Sequence, residues 1–286
     1  MIISCNLISD VGLKRTNNED IVLLNGDFYR DNAYQSTFTL NDNARMAAIV
    51  ADGMGGHAGG EFASELAVQS FQTFVETLPA MVDIATLQNL IKSWATDAHY
   101  MIKHKGEEMP QFYNMGTTFV GLLFYNGSVN WINIGDSRIY RFRDGILRQL
   151  STDHSMREKE KDPTIPSNII YNALGVGDSV FADVEDITQK VIPGDKFIIC
   201  SDGLSDMADD ETIESVMENG GSAPELVAAA KEAGGKDNVS VMVVEIIETG
   251  PSPERISYFF ISFSAYPLTA FFFINPAFWN SGSQYL

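Results

Sequence analysis

Four aspartates stand in glycine- or asparagine-rich turns, each beside an apolar run. Asp52 follows MAAIVA and opens DGMGGHAGG. Asp136 follows VNWINIG, Asp202 sits in SDGLSD after KFIIC, and Asp237 sits in GGKDN before VSVMVVEI. A sheet brings carboxylates to one rim in this way: the strand ends, glycine turns the backbone, and an acid is left at the edge. Converging carboxylates repel one another unless a cation neutralises them. An all-oxygen set suits hard divalent ions such as Mg2+ and Mn2+. Two such ions about 3.5–4 Å apart can activate a shared water for phosphoryl chemistry. DGMGGHAGG holds five glycines, which let the backbone approach an ion and argue against Asp52 as a mere turn residue.

The elements that must position these acids follow from periodicity. Residues 2–8 and 21–24 read as short strands joined by RTNNED, 26–45 as a hairpin or loop, and 46–51 as a buried strand. From Glu61 apolar residues recur at helical spacing up to Pro79, and a second helix fits Ile84 to His104. Residues 117–125, 128–135, 138–143 and 146–150 then read as an antiparallel meander, with hairpin signals at Asn126-Gly127 and Asp144-Gly145. Residues 152–179 are an irregular loop or flap, with a turn at Gly175. Strands fit 180–187 and 196–201, short helices 210–218 and 223–233, and a last strand 239–247. The order is that of an α+β fold with helices covering sheets.

Composition narrows the function. The 286 residues carry a formal net charge of −19, which excludes nucleic acid as a main partner because phosphate backbones would be repelled. Eight acids and no Lys or Arg lie between Ser201 and Ala230. Asp209, Asp210, Glu211, Glu214 and Glu218 among them read as a solvated helix face. Two cysteines, Cys5 and Cys200, lie in apolar runs. They are no disulfide framework and fit a reducing, cytoplasmic setting as buried structural residues. No secretory signal is evident at MIISCNLISDVG. After Glu248 the character shifts: GPSPER is a linker, and residues 256–286 carry no charge at all. The expected organisation is a catalytic domain at 1–248 and a linker and aromatic-rich tail at 249–286. The tail is a membrane tether, a segment that packs on its own domain or a partner, or an addition foreign to the ancestral domain.

The motif order resembles the metal-dependent protein serine/threonine phosphatases of the type 2C class, in their compact bacterial form. The resemblance covers residues 4–247. It rests on RTNNED from Arg15 to Asp20, DGMGGH from Asp52 to His57, Gly116-Thr117-Thr118, GDSR from Gly135 to Arg138, and Ser201-Asp202-Gly203 with Asp237-Asn238. It implies a four-layer α-β-β-α sandwich, two antiparallel sheets flanked by helices, with a two-metal site at one edge. Asp52 would bridge two Mn2+ or Mg2+ ions, with the Gly53 carbonyl as a backbone ligand. Asp202 and Asp237 would complete one ion's protein shell, Glu19 would support the other through water, and Asp20 would back that shell. Asp136 would join Asp202 at a weaker third ion. Arg15 would grip the substrate phosphate, where its planar fork suits two oxygens. A metal-activated water would attack phosphorus in line with no phosphoenzyme. The substrates would be phosphoserine and phosphothreonine proteins, targets of a serine/threonine kinase whose signalling the enzyme, a monomer, opposes.

Several residues carry alternatives. GDSR fits a tight turn with Asp136 paired to Arg138, and Glu19 fits a surface acid. Met54 stands where many eukaryotic relatives have a general-acid histidine. His57 is a substitute acid or a loop-fixing residue. Asn172 replaces an arginine frequent before the Ala-Leu-Gly stretch, which puts substrate contact there in doubt. Thr117 and Thr118 read as strand residues beneath the site, and His99, His104 and His154 as surface or loop residues. A catalytically silent module and a phosphatase of small phosphomonoesters compete with the leading assignment.

Overall fold

Successive side chains of the long strands enter different hydrophobic layers, because side chains alternate across a sheet. The structure, a computed structural model, describes residues 1–55 and 58–249. The chain begins with β1 (Ile2–Asp10), β2 (Ile21–Leu24), β3 (Asp27–Tyr29), β4 (Ala33–Thr39), β5 (Arg45–Ala51) and β6 (Gly53–Met54). Two long helices follow, α1 (Ala58–Thr77) and α2 (Ile84–Glu108). Then come β7 (Gly116–Thr117), β8 (Phe119–Tyr125), β9 (Ser128–Ile134), β10 (Arg138–Arg143) and β11 (Ile146–Gln149). The rest comprises α3 (Met156–Glu160), β12 (Asp183–Asp186), β13 (Lys196–Cys200), α4 (Asp202–Ser205), α5 (Asp210–Glu218), α6 (Ala223–Glu232) and β14 (Val239–Glu248).

The strands build two antiparallel six-stranded sheets, ordered β11-β10-β13-β14-β1-β4 and β12-β9-β8-β5-β2-β3. Three cores separate four layers. Ala47, Ile49 and Ala51 of β5 join α1 and α2 in one core. Met46, Ala48 and Val50 of the same strand meet Ile3, Cys5 and Leu7 of β1 between the sheets. Val239, Val241 and Val243 of β14 face Ile213, Leu226 and Ala230 of α5 and α6. The fold is thus the expected α+β sandwich. Strands buried on both faces read as continuous apolar runs, which is why they were legible.

Two readings need refinement. The supposed meander is divided: β8 and β9 belong to one sheet, β10 and β11 to the other. The chain crosses at Gly135–Ser137, where Gly135 takes φ 113°. The 26–45 segment holds two strands, β3 and β4, that belong to different sheets. Asn25 and Gly26, both at positive φ, turn β2 into β3, and β4 then crosses to pair with β1. The turn at Asn25-Gly26 is the same signal as Asn126-Gly127 and was readable. Among the described residues no helix is long and apolar enough to cross a membrane. The expected tail lies, from residue 250 onward, outside the described residues.

Phe71 centres the helix-side core, with ring centroids 4.6 Å from Trp94 and 4.9 Å from Phe119. Replacing Phe71 with Ala should lower unfolding free energy by about 3–5 kcal/mol, read as a shift in the urea midpoint. A shift under about 1 kcal/mol would mean the layer repacks around the void.

Candidate active site

The acids proposed as metal ligands or their supports lie at one edge of the sandwich. Asp52 follows β5, Asp136 follows β9, Asp202 follows β13, Asp237 precedes β14, and Glu19 and Asp20 precede β2. The registers show why these ends coincide: Ile21 pairs with Ala51, Phe119 with Ile134, and Cys200 with Val241. Antiparallel pairing puts the exit of one strand beside the entrance of its neighbour. The result is a cleft of about 390 Å3 lined by Arg15, Glu19, Asp52, Gly53, Asp136, Asp202 and Asp237, among others. Asp20 does not line it; it lies fully buried beneath. His57 and Gly56 lie outside the described residues.

Hydrogen bonds fasten the acids to the sheet ends. The Asp52 N–H donates to Thr118 Oγ1 at 3.0 Å, and Thr117 Oγ1 donates to the Asp52 carbonyl at 2.8 Å. Thr118 Oγ1 also lies 2.7 Å from Ser137 Oγ, beside Asp136. Thr117 and Thr118 are therefore strand residues beneath the site, as expected, and they also clamp the backbone of Asp52. Asn238 accepts from the Glu19 N–H at 2.9 Å and donates to the carbonyls of Val11 and Asn17. It ties RTNNED to the Asp237 turn. Ser201 Oγ donates to Asp20 Oδ2 at 2.7 Å. Arg30, which carried no motif, bonds the Asp20 carbonyl and the Glu61 carboxylate, so it joins β2 to α1. Only its side-chain reach reveals this, and spacing could not. Backbone approach is equally tight: a Cβ on Gly60 would sit 2.2 Å from Glu19 Oε2, and one on Gly53 would sit 2.1 Å from the Gly60 carbonyl oxygen.

The electrostatics are those of crowded carboxylates. Burial, opposed by the Ser201 hydrogen bond, pushes Asp20 up to about 7. Burial, with Asp206 and Asp237 nearby, pushes Asp202 up to about 6. Asp52 is raised well above the usual carboxylate range by burial and by Asp20, and Asp136 by burial and by Asp202. Asp52 and Asp202 keep some exposed surface, which faces the cleft. Arg15 Nη2 donates to Asp237 Oδ2 at 2.7 Å. Among the described residues no three His, Cys, Asp or Glu groups already converge at metal-ligating separations. The donor set nonetheless fits hard cations. It is all oxygen, it is mutually repulsive, and Asp20 Oδ1 is buried with no hydrogen-bond partner.

Arg138 forks onto Asp153, at 2.9 Å through Nε and 2.7 Å through Nη2. The alternative pairing with Asp136 is thereby overturned, because the sheet crossover turns Asp136 to the cleft and Arg138 away from it. Two histidines also differ from expectation. His154 is buried: its Nδ1 accepts from the Gly135 N–H at 3.0 Å, and its Nε2 donates to Asp183 at 3.1 Å. It fixes the crossover that carries Asp136. His99 is buried and its Nδ1 accepts from the Gly175 N–H at 3.2 Å. His154 lies in polar sequence surroundings, so periodicity gave no sign of its burial; His99 stands at helical spacing from Ala95 and Ile102 on the buried face of α2, a signal the sequence did carry. His104 is exposed, as expected. Asn172 is buried, exchanges hydrogen bonds with the Phe181 backbone and braces the flap from inside. The flap presents Asn168 and Ile170 to the cleft instead.

The raised acids give a pH signature. Folded values of about 7 for Asp20 and 6 for Asp202 lie above the unfolded value of 3.8. Their stabilisation is complete below the unfolded value and is lost as pH rises through the folded values. Chelator-treated protein should therefore melt at lower temperature at pH 8 than at pH 5. Added Mn2+ should raise the melting temperature more at pH 8 than at pH 5. Asp20→Asn should flatten the chelated profile. Differential scanning calorimetry across that window checks it, and a chelated melting temperature that climbs from pH 5 to pH 8 would overturn the assignment of buried charge.

The family model for protein phosphatase 2C matches residues 24–228. The chain is similar to serine/threonine protein phosphatase PstP of Mycobacterium tuberculosis strain H37Rv, 32% identical over 253 residues, which covers 84% of this chain and 44% of that protein. It thus spans less than half of that relative's length. It is also similar to the serine/threonine phosphatase stp of Listeria welshimeri, 30% identical over 251 residues, covering 83% of this chain and 93% of that one. A crystal structure of the PstP catalytic domain in complex with two manganese ions superposes with a TM-score of 0.65 at 30% identity, covering 87% of this chain and all of that one. From its motifs, its sandwich and these likenesses, the chain belongs to the protein phosphatase 2C family.

Proposed function

We propose that this chain hydrolyses phosphoserine and phosphothreonine in proteins, with Mn2+ or Mg2+ as cofactor. The observation that carries the reading is the convergence of acids from the ends of both sheets on one cleft with Arg15 in its wall. Asp52, the Gly53 carbonyl, Asp202 and Asp237 would hold the ions, Glu19 and Asp20 would support them, and Asp136 with Asp202 would serve a weaker third. When bound, such ions activate water and balance charge on the phosphate.

The chain's own groups do the rest. Arg15 presents a guanidinium fork to two phosphate oxygens, which requires it to exchange Asp237 for substrate. Thr117 and Thr118 keep Asp52 from drifting off the sheet end. No thiolate competes as nucleophile: burial pushes both Cys5 and Cys200 up to about 12, so they stay protonated and no cysteinyl phosphate forms. The lack of a phosphoenzyme fits this. His57 remains a proposed proton donor to the leaving alkoxide, in competition with a loop-fixing role. The reading further proposes a catalytic unit at 1–248 acting as a monomer in the cytoplasm on targets of a serine/threonine kinase, with 249–286 as a tether or docking segment.

Asp202→Asn should reduce Mn2+-stimulated phosphate release from a phosphothreonine peptide by about 100-fold or more, since even groups behind the ligands cost about 10–100-fold. Its melting temperature in chelator should not fall. Full turnover in this variant would sink the metal assignment. A panel of phosphopeptides and small phosphomonoesters, compared by kcat/KM, should favour the peptides. A version ending at Glu248 should keep the peptide kcat/KM of the full chain; a large loss would place the tail within the catalytic unit.

A further inference from the structure

A second cavity, of about 130 Å3, lies on the flank between the two sheets and shares no lining residue with the acidic cleft. Trp131, Ile187, Val191 and Phe197, all members of the inter-sheet core, form its apolar floor. Its polar wall includes Arg141, Arg148, Lys190 and Glu185. Trp131 is three residues back from the end of β9, and Phe197 three residues back from the end of β13. Each is therefore about 10 Å inside the acidic edge at 3.3 Å per residue.

The two arginines are the unusual feature. Arg141 and Arg148 are directly opposite one another on antiparallel strands β10 and β11, where like charges destabilise. Every other described arginine has a carboxylate or carbonyl acceptor: Arg15, Arg30, Arg45, Arg138, Arg143 and Arg157. Among the described residues Arg141 and Arg148 have no hydrogen bond or ion pair. The Nε of Arg141 is buried with no partner. Such a group costs free energy until an acceptor arrives. Burial first, and then Arg143 and Arg148, lower the Arg141 guanidinium from its ordinary value, against an opposing pull from Asp195, a carboxylate already held by Arg143. In a chain with 38 acids and 19 Lys and Arg, two cations left facing each other over an apolar hollow mark a place where an anion is missing.

We propose that this cavity binds a small organic anion: a single carboxylate joined to an aromatic or short aliphatic body. The carboxylate would sit between Arg141 and Arg148, and the body would lie on Trp131, Ile187 and Phe197. A single negative charge fits because Lys190 is already bridged to Glu185, whose own charge stands at the wall and opposes a dianion. The site is separate from the phosphatase reading and does not depend on it.

Benzoate is the probe, titrated into the full chain with excitation of tryptophan emission; Trp131→Phe identifies the responding ring. A saturable response is expected, weakened at least tenfold in Arg141→Gln and in Arg148→Gln and kept in Asp202→Asn. Acetate and benzyl alcohol, which lack the body or the charge, should bind at least tenfold more weakly, and so should inorganic phosphate. Both glutamine variants should melt no lower than the parent, because the opposed like charges are gone. Turnover of a small phosphomonoester should be unchanged in both. The proposal falls if no saturable response occurs, if it survives in both glutamine variants, or if it vanishes only in Asp202→Asn. It also falls if benzyl alcohol, acetate or phosphate matches benzoate.

Discussion

Repulsion among carboxylates at one edge is the constraint on which the rest of the structure depends. Asp20 is fully buried, and burial and neighbouring carboxylates raise Asp52, Asp136 and Asp202: Asp20 acts on Asp52, Asp202 on Asp136, and Asp206 and Asp237 on Asp202. Each pKa unit of such a shift corresponds to about 1.36 kcal/mol of unfavourable interaction for the charged form. An isolated hairpin could not hold that arrangement. Three continuous cores can, because every central strand is anchored on both faces. The apolar layers therefore explain how an acidic rim persists without scattering its side chains into solvent.

Holding the acids near one another also needs directional bonds, because most of the rim is built from turns, with Asp202 opening the short helix α4. A turn exposes N–H and C=O groups that a helix would satisfy internally. Thr117, Thr118, Asn238 and Ser201 take up those groups at Asp52, Glu19 and Ser240. The same hydroxyls and amides set the positions of the carboxylates they adjoin. The glycines serve a different end. At Gly53 and Gly60 there is no room for a side chain, because the backbone of the Asp52 turn lies against the start of α1 and the Glu19 carboxylate.

Much of this was legible in the sequence because it depended on local rules. Asp52, Asp202 and Asp237 lie beside apolar runs, and such runs end where a strand leaves the sheet. Arg15 and Glu19 were recoverable from their shared short motif. What escaped was long-range. Arg30 reaches Glu61 across 31 positions, and its surroundings resemble any polar loop. His154 is buried by crossover contacts 19 residues away in sequence. The division of the meander between sheets was hidden for a related reason. Strand periodicity reports which residues alternate, and it does not report which sheet a strand joins. The solvated acidic face was read correctly in type, with Asp209, Asp210, Glu211 and Glu218 exposed. Glu214 is the exception, accepting from the Leu147 N–H at 2.7 Å and so joining α5 to β11.

The net charge of −19 sharpens what the cleft must accomplish. A phosphorylated segment approaching this surface meets a repulsive field, so long-range steering cannot be the source of recognition for an acidic substrate. At physiological ionic strength that field decays over about 8 Å, and contacts within the cleft then decide binding. Among the described residues Arg15 is the one cation lining it, and it is engaged by Asp237. Under the proposed function, phosphate would win that guanidinium only if Asp237 found another counter-charge. Cation binding and substrate binding would then be coupled through a single carboxylate, because whatever neutralises Asp237 releases Arg15. The salt bridge at the mouth of the cleft would thus link two halves of the proposed chemistry that neither the charge count nor the motif order connects.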